Sequence, residues 1–289
     1  MAWTRRLVWA GRLPVRLTIK LGGSILEAST IRMSLLREIS ELRTDGHEVI
    51  LVHGGGKALN RALAEMGLES RFVSGLRVTD AATMRVATMV LAGEVNKRLV
   101  AELASLGSSA VGVSGADAGA VRCIPVASIP GAPQDLGFVG KPVRTAGTLF
   151  DLVLSAGMIP VVASIALGED GTLYNVNADQ MASICASGCR CESLLYLTDV
   201  PGIRGENGEI IREASEREIA SLREKGVVSG GMLPKTESCL EALRRGVKSV
   251  YILPGAQEAL LSGFFAGQTR LGTRLVTTTG AQVSANAGS

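Results

Sequence analysis

The chain has 289 residues, 46% of them apolar but only 3% aromatic, and its 30 basic and 27 acidic side chains leave a net charge of +3. That balance excludes the broad basic footprint of a nucleic-acid binder. The length admits one large α/β domain or two lobes, with a core of Val, Ile, Leu, Ala and Met.

Residues 1–15 form a basic, partly apolar arm carrying Arg5, Arg6 and Arg12, whose charges break any signal-peptide core. Leu17–Lys20 reads as a short strand, followed by Gly22-Gly23 and a helix start. Strand, glycine turn, then helix N-terminus makes a cradle for phosphate, because glycine lets backbone N–H groups approach an anion and a lysine adds a mobile charge. Such pairs are more often plain tight turns, so the stretch needs support from elsewhere.

A helix is expected over Ile31–Thr44, then an apolar strand Val49–Val52 of the kind buried in a parallel sheet. His53-Gly54-Gly55-Gly56 follows directly and leads into a helix over Ala58–Met66, so the strand, glycine loop, helix pattern has repeated. Two such loops in successive βα units lie side by side at the carboxyl edge of one sheet, where open α/β folds bind ligands. For His53 a structural role beside the loop is favoured over catalysis, since no carboxylate or nucleophile adjoins it in sequence. Arg77, in Gly75-Leu76-Arg77-Val78-Thr79-Asp80, is either a surface side chain laid along apolar neighbours or a bidentate clamp for a carboxylate. Thr79 or Asp80 can cap the helix expected over Thr83–Leu106.

Val111–Val113 is a small strand, and residues 121–145 read as a hairpin excursion. A helix Leu149–Ala156 precedes a buried strand Ile159–Ala166. Leu152–Gly168 is free of charge but too short and too broken by Ser155, Gly157, Pro160 and Ser164 for a membrane span, which takes roughly 20 residues. Asn175, Asn177 and Asp179 sit at alternate positions entering a helix that runs to Ala186, with helix capping as the plain reading of Asp179. Ser193–Leu197 is a further apolar strand, Glu206–Glu209 a hairpin tip, Glu216–Lys225 a helix, Val250–Leu253 a last core strand and Leu271–Val276 a closing strand. Lys235 opens a helix after Gly230-Gly231, where it is either a surface lysine or a partner for a bound anion. The five cysteines, an odd number without a regular framework, indicate reduced thiols in a cytoplasmic chain. Cys185, Cys189 and Cys191 cluster at a helix end, as small buried residues in preference to a metal site.

The alternation of strands and helices predicts a predominantly parallel sheet between helix layers. Ile19-Lys20-Leu21-Gly22-Gly23, His53-Gly54-Gly55-Gly56, Gly75–Asp80, Asn175–Asp179, Thr198-Asp199-Val200-Pro201-Gly202 and Gly231-Met232-Leu233-Pro234-Lys235 occur in the order seen in the amino acid kinase family, and the chain resembles it over roughly residues 17–276. Gly75–Asp80 points to its acetylglutamate kinase branch. The resemblance implies an open three-layer αβα sandwich of two lobes: an N-lobe, 16–190, for the acyl amino acid and dimerisation, and a C-lobe, 191–277, for ATP, with 278–289 as a flexible tail. It implies phosphorylation of the side-chain carboxylate of N-acetylglutamate by ATP with Mg²⁺, in arginine biosynthesis. Lys20 and Lys235 would neutralise the migrating phosphoryl group and Asp179 would orient both. Gly55, Gly56, Arg77 and Asn175 would hold the acceptor, with Arg77 on its α-carboxylate. Gly22, Gly23, Asp199, Gly202, Val228, Ser229 and Gly231 would serve phosphate and nucleotide, with no metal ligand assigned. A cytoplasmic homodimer is implied, with a hexamer as alternative, neither nucleic acid nor membrane as partner, and a PII-type regulator not indicated. Alternatives are the same fold acting on N-succinylglutamate or a carrier-linked aminoadipate, or a non-catalytic amino-acid sensor.

Overall fold

The computed structural model describes residues 13–129, 131, 136–267 and 271–277; residues 1–12 of the expected arm and the tail 278–289 lie outside them. In chain order the strands are β1 (Arg16–Leu21), β2 (Glu48–His53), β3 (Phe72–Val73), β4 (Leu76–Arg77), β5 (Ala110–Ser114), β6 (Val121–Pro125), β7 (Val139–Thr145), β8 (Ile159–Ala163), β9 (Ile165–Leu167), β10 (Leu173–Val176), β11 (Ser193–Thr198), β12 (Glu213–Ser215), β13 (Ser249–Pro254) and β14 (Thr273–Val276). The α-helices are α1 (Gly23–Glu27), α2 (Ser29–Thr44), α3 (Gly56–Glu65), α4 (Ala81–Ala87), α5 (Asn96–Ser105), α6 (Thr148–Ser155), α7 (Ala178–Gly188), α8 (Glu216–Glu224), α9 (Met232–Arg244) and α10 (Leu260–Phe265).

Eight strands form one sheet in the order β12-β14-β13-β11-β1-β2-β8-β5. It is parallel except that β14 runs against β13. Side-chain alternation along each strand feeds two separate cores. Leu17, Ile19 and Leu21 join Val49, Leu51, Leu195 and Leu197 beneath Leu35 and Ile39 of α2 and Leu99 of α5. Ile50, Val52, Leu194, Tyr196, Val250 and Ile252 face the other way, against Phe150 of α6, Met181 of α7, Ile219 of α8 and Leu240 of α9. This is the expected three-layer sandwich.

Parallel pairing brings the strand ends to one edge. Leu21 lies opposite both His53 and Leu197, and His53 opposite Ala163. The two glycine loops and the Thr198-Asp199 turn therefore emerge together. The expected strand Ile159–Ala166 is two strands, because the chain leaves the large sheet at Ser164 and enters a small closed sheet of β10, β7, β6 and β9. That small sheet contains the expected 121–145 hairpin as β6 and β7. The expected helix Thr83–Leu106 is continuous but irregular: between α4 and α5 lies a π-helical segment, Thr88–Val95. Asp80 caps α4, its side chain accepting from the Thr83 N–H at 2.7 Å.

Cys185, Cys189 and Cys191 are buried in the sandwich. The Cys191 thiol meets Thr18 Oγ1 at 3.3 Å, and burial pushes its pKa up to about 11. Among the described residues no group of three or more His, Cys, Asp or Glu side chains could hold a metal ion. None of the helices there is long and apolar enough to cross a membrane.

Candidate active site

Lys20 is the penultimate residue of β1. Alternation turns it away from Ile19 and Leu21 and toward α7, leaving it buried. Asp179 is the second residue of α7. The cap of that helix is Asn177, whose side chain accepts from the N–H groups of Asp179 at 2.8 Å and Gln180 at 3.3 Å. Relieved of capping, the Asp179 carboxylate reaches both lysines. Oδ1 lies 2.7 Å from Lys20 Nζ, and Oδ2 accepts from Lys235 Nζ at 2.9 Å. Lys235, in the first turns of α9, is therefore no surface lysine; its side chain is 12% exposed.

The charges explain the chemistry available. Burial alone would raise the Asp179 pKa, but the two ammonium groups overcome it and hold the carboxyl down at about 2. Burial and the neighbouring Lys235 lower the Lys20 pKa, against the pull of Asp179 and Asp199. Two cations on one carboxylate leave one positive charge in excess in a poorly solvated place, and an arriving anion balances it. Tyr196 completes the base of the triad. Its hydroxyl donates to the Asp179 carbonyl at 3.0 Å, and its ring centroid lies 5.4 Å from Lys235 Nζ.

A cleft of about 630 Å³ opens beside the triad, reaching Ala178 next to Asp179, and is lined by Gly54, Gly55, Gly56, Arg77 and Asn175. A Cβ on Gly55 would come within 2.7 Å of Leu91 Cδ2 in the π segment, so the loop backbone lies flat on that wall. Arg77 is buried, which rules out the surface reading. Its guanidinium stacks on Phe72 at 4.6 Å and donates to Asn60 Oδ1 at 2.6 Å and Ser70 Oγ at 2.7 Å. It has no carboxylate partner among the described residues. Desolvation accordingly lowers its pKa. Asn175 Nδ2 donates to Thr79 Oγ1 at 3.3 Å, and Thr79 Oγ1 donates to the Arg77 carbonyl at 2.9 Å.

A model of the amino acid kinase family matches residues 16–254. The acetylglutamate kinase of Acidobacterium capsulatum is 46% identical over 262 residues, 91% of this chain and 99% of the relative. The acetylglutamate kinase of Koribacter versatilis is 42% identical, over 91% of this chain and 100% of the relative. This chain belongs to the amino acid kinase family. Among solved structures it is similar to N-acetylglutamate synthase of Neisseria gonorrhoeae in complex with coenzyme A and N-acetyl-glutamate, with a TM-score of 0.79, 28% identity and coverage of 91% of this chain and 59% of that one. Carbamate kinase of Giardia lamblia bound to AMP-PNP, at a TM-score of 0.64 and 14% identity over 91% of this chain and 99% of that one, shares the fold.

In this amino acid kinase the remaining expected residues divide into two groups. Gly22 donates its N–H to the Leu197 carbonyl at 2.8 Å, where a Cβ would sit 2.8 Å from the same oxygen, while Gly23 has open space around it. Asp199 is exposed, and its charge acts on Lys20. Ser229 and Gly231 are exposed in the turn that starts α9, with the Met232 N–H donating to the Ser229 carbonyl. Gly202 and Val228 face inward. A Gly202 Cβ would be 2.8 Å from Thr273 Oγ1, and Val228 packs with the α8 and α9 core, so either can meet a nucleotide only through its backbone.

Sequence reasoning missed Tyr196 and Asn96. Asn96, fully buried, donates through Nδ2 to His53 Nε2 at 3.0 Å and to the Val161 carbonyl at 2.9 Å. His53 Nδ1 then donates to the Gly54 carbonyl at 2.8 Å. Burial lowers the His53 pKa to about 4, so the ring is neutral and shapes the glycine loop. A lone asparagine on the apolar stripe of a helix was the available signal.

Proposed function

We propose that this kinase transfers the γ-phosphoryl group of ATP to the side-chain carboxylate of N-acetyl-L-glutamate, the acyl-phosphate-forming step of arginine biosynthesis. One observation carries the reading: a carboxylate-bridged pair of lysines stands beside a cleft that also holds a buried arginine without a carboxylate partner among the described residues. Such a cleft suits an acceptor with two carboxylates, one to be held and one to react. The acetylglutamate kinase relatives, matched over nearly their whole length, support the same acceptor.

The acceptor oxygen attacks the γ-phosphorus, the bond from phosphorus to the β-bridging oxygen breaks, and ADP departs. A side-chain carboxyl with a pKa near 4.3 is already ionised at neutral pH. No general base is needed, which agrees with the inert His53. The chemistry reduces to positioning and charge stabilisation. Lys20 and Lys235 neutralise the migrating group from two sides, and Asp179 keeps them apart and aimed. Arg77 grips the α-carboxylate bidentately, with Asn175 and the amides of Gly55 and Gly56 on the remaining polar groups. Gly22, Gly23, Asp199, Ser229 and Gly231, with the backbones of Gly202 and Val228, line the ATP side. Asp179 has both oxygens engaged by lysines, so a Mg²⁺ ion would arrive with ATP as part of the substrate, and the exposed Asp199 carboxylate is the residue that would hold it, where it would neutralise phosphate charge. Residues 16–190 serve the acceptor and 191–277 the nucleotide, in a cytoplasmic homodimer.

The test is acyl-phosphate capture with hydroxylamine in the presence of ATP and Mg²⁺, comparing N-acetylglutamate, N-succinylglutamate and free glutamate. Hydroxamate from N-acetylglutamate well above the other two is expected. No hydroxamate above an enzyme-free control overturns the reading, and preference for the succinyl compound changes the acyl group.

A further inference from the structure

A second crevice, of about 460 Å³, lies between β7, α7 and α9, apart from the residues that line the acceptor cleft. Its walls come from three elements that also build the site. β7 starts at Val139, which lines the cleft; α7 carries Asp179; α9 carries Lys235. Anything seated there bears on how closely α9 can approach α7, and hence on the contact between Asp179 and Lys235.

The lining is built but incompletely satisfied. Ser183 is 2% exposed and its Oγ has no hydrogen-bond partner among the described residues. A helical serine ordinarily donates to the carbonyl four residues back. Here that carbonyl belongs to Asp179 and already accepts from Tyr196. Ser187, one turn on, donates to the Ser183 carbonyl at 3.0 Å in the ordinary way. Buried hydroxyls are nearly always paired, so an orphan in a crevice wall marks a place where a ligand atom gains a bond the fold does not supply. Lys141 has no carboxylate partner among the described residues, and the Gln180 side chain makes no hydrogen bond among them. By contrast Glu241 and Arg245 pair with each other at 2.6 Å. Ile184 and Pro142 give the crevice an apolar wall.

We propose that this crevice is a second binding site, for a short monocarboxylate with an apolar body and one further hydrogen-bonding group, the pattern of an apolar amino acid or 2-hydroxy acid. The carboxylate pairs with Lys141, the apolar body lies on Ile184 and Pro142, and the amine or hydroxyl reaches Ser183 and Gln180. Occupancy links β7, α7 and α9 and changes turnover through the spacing of Asp179 and Lys235. The inference does not depend on which acceptor the enzyme phosphorylates.

Ligand-observed NMR on the full chain tests it, with L-valine, L-leucine and their 2-hydroxy analogues as probes; the amine and hydroxyl arms tell the two sources apart. A Kd on the order of 1 mM is expected for at least one probe, the range open to so few contact atoms. Lys141→Met weakens it by about threefold to fivefold, the value of an ion pair made by an exposed lysine. Ser183→Ala weakens it by a few-fold, while folding stays intact because the deleted hydroxyl has no partner. Arg77→Met, in the acceptor cleft, leaves probe binding unchanged. The bound probe is expected to alter the ATP KM or kcat by about fivefold or more, the lower end of typical site-to-site coupling. No binding by any of the four probes, or binding abolished by Arg77→Met and indifferent to Lys141→Met, overturns the site. Binding without a kinetic effect overturns its coupling to turnover.

Discussion

The two ends of the acceptor cleft treat buried charge in opposite ways. At the triad, two ammonium groups share one carboxylate and are held in place before any substrate arrives, with one positive charge in excess. At the other end, Arg77 stacks on Phe72 and donates to three neutral oxygens, of Ser70, Asn60 and the Gly56 carbonyl. The first arrangement is preorganised, with its stabilising charges in place whether or not phosphate is present. The second carries an open desolvation cost that a bound carboxylate offsets, so affinity resides at Arg77 and rate at the triad. Each variant below attacks one end and should leave the other intact.

The largest effect is expected for Lys20→Met, which removes one of the two charges on the migrating group: kcat should fall by about 10²–10³-fold or more with acceptor KM little changed, by steady-state kinetics. Asp179→Asn breaks the shared carboxylate and strands two buried cations, costing about 3–5 kcal/mol of stability by urea unfolding. The same carboxylate sets an acid limit. Its pKa of about 2 lies below the 3.8 of an ordinary aspartate, so its contribution is full above pH 3.8 and is lost as pH falls through about 2. The variant should lack that limb. Arg77→Met should raise acceptor KM roughly 10- to 100-fold, and by removing an unpaired buried charge it should leave stability equal or higher. A fall in kcat as large as that of Lys20→Met would erase the distinction between the ends. The smallest effect is a flat one. With His53 neutral above about pH 4, kcat should show no histidine titration between about pH 5.5 and 8.

Much of this was legible in the sequence, for stated reasons. The lysine ending the first strand beside its glycine turn already read as a charge for phosphate, and the repeated strand, glycine loop, helix pattern placed both loops at one edge. Asp179 was not decidable locally. Its competing reading as a helix cap falls only because Asn177 takes that position and because Lys235 arrives from 56 residues away. Arg77 stayed ambiguous for the same reason: Phe72, Ser70 and Asn60 decide it, and no short pattern joins them. The inward turn of Gly202 and Val228 escaped because a motif gives chain position and not facing. The π segment escaped because apolar residues continue through it at ordinary helical spacing, with Val90, Leu91 and Val95 all buried.

That segment has a consequence for how the protein can change by insertion and deletion. A π turn takes up a surplus residue by widening, so removing one restores regular α-geometry and leaves the helix beyond it close to its original facing. Leu91 sits inside Thr88–Val95 against Gly55, whereas Asn96 follows it and holds His53. Shortening the segment by one residue would leave the helix continuous and the asparagine on its histidine, while resetting the wall that Leu91 sets against Gly55. A length change that looks silent in helix content would thus leave the histidine fastened yet reshape the wall beneath the second glycine loop.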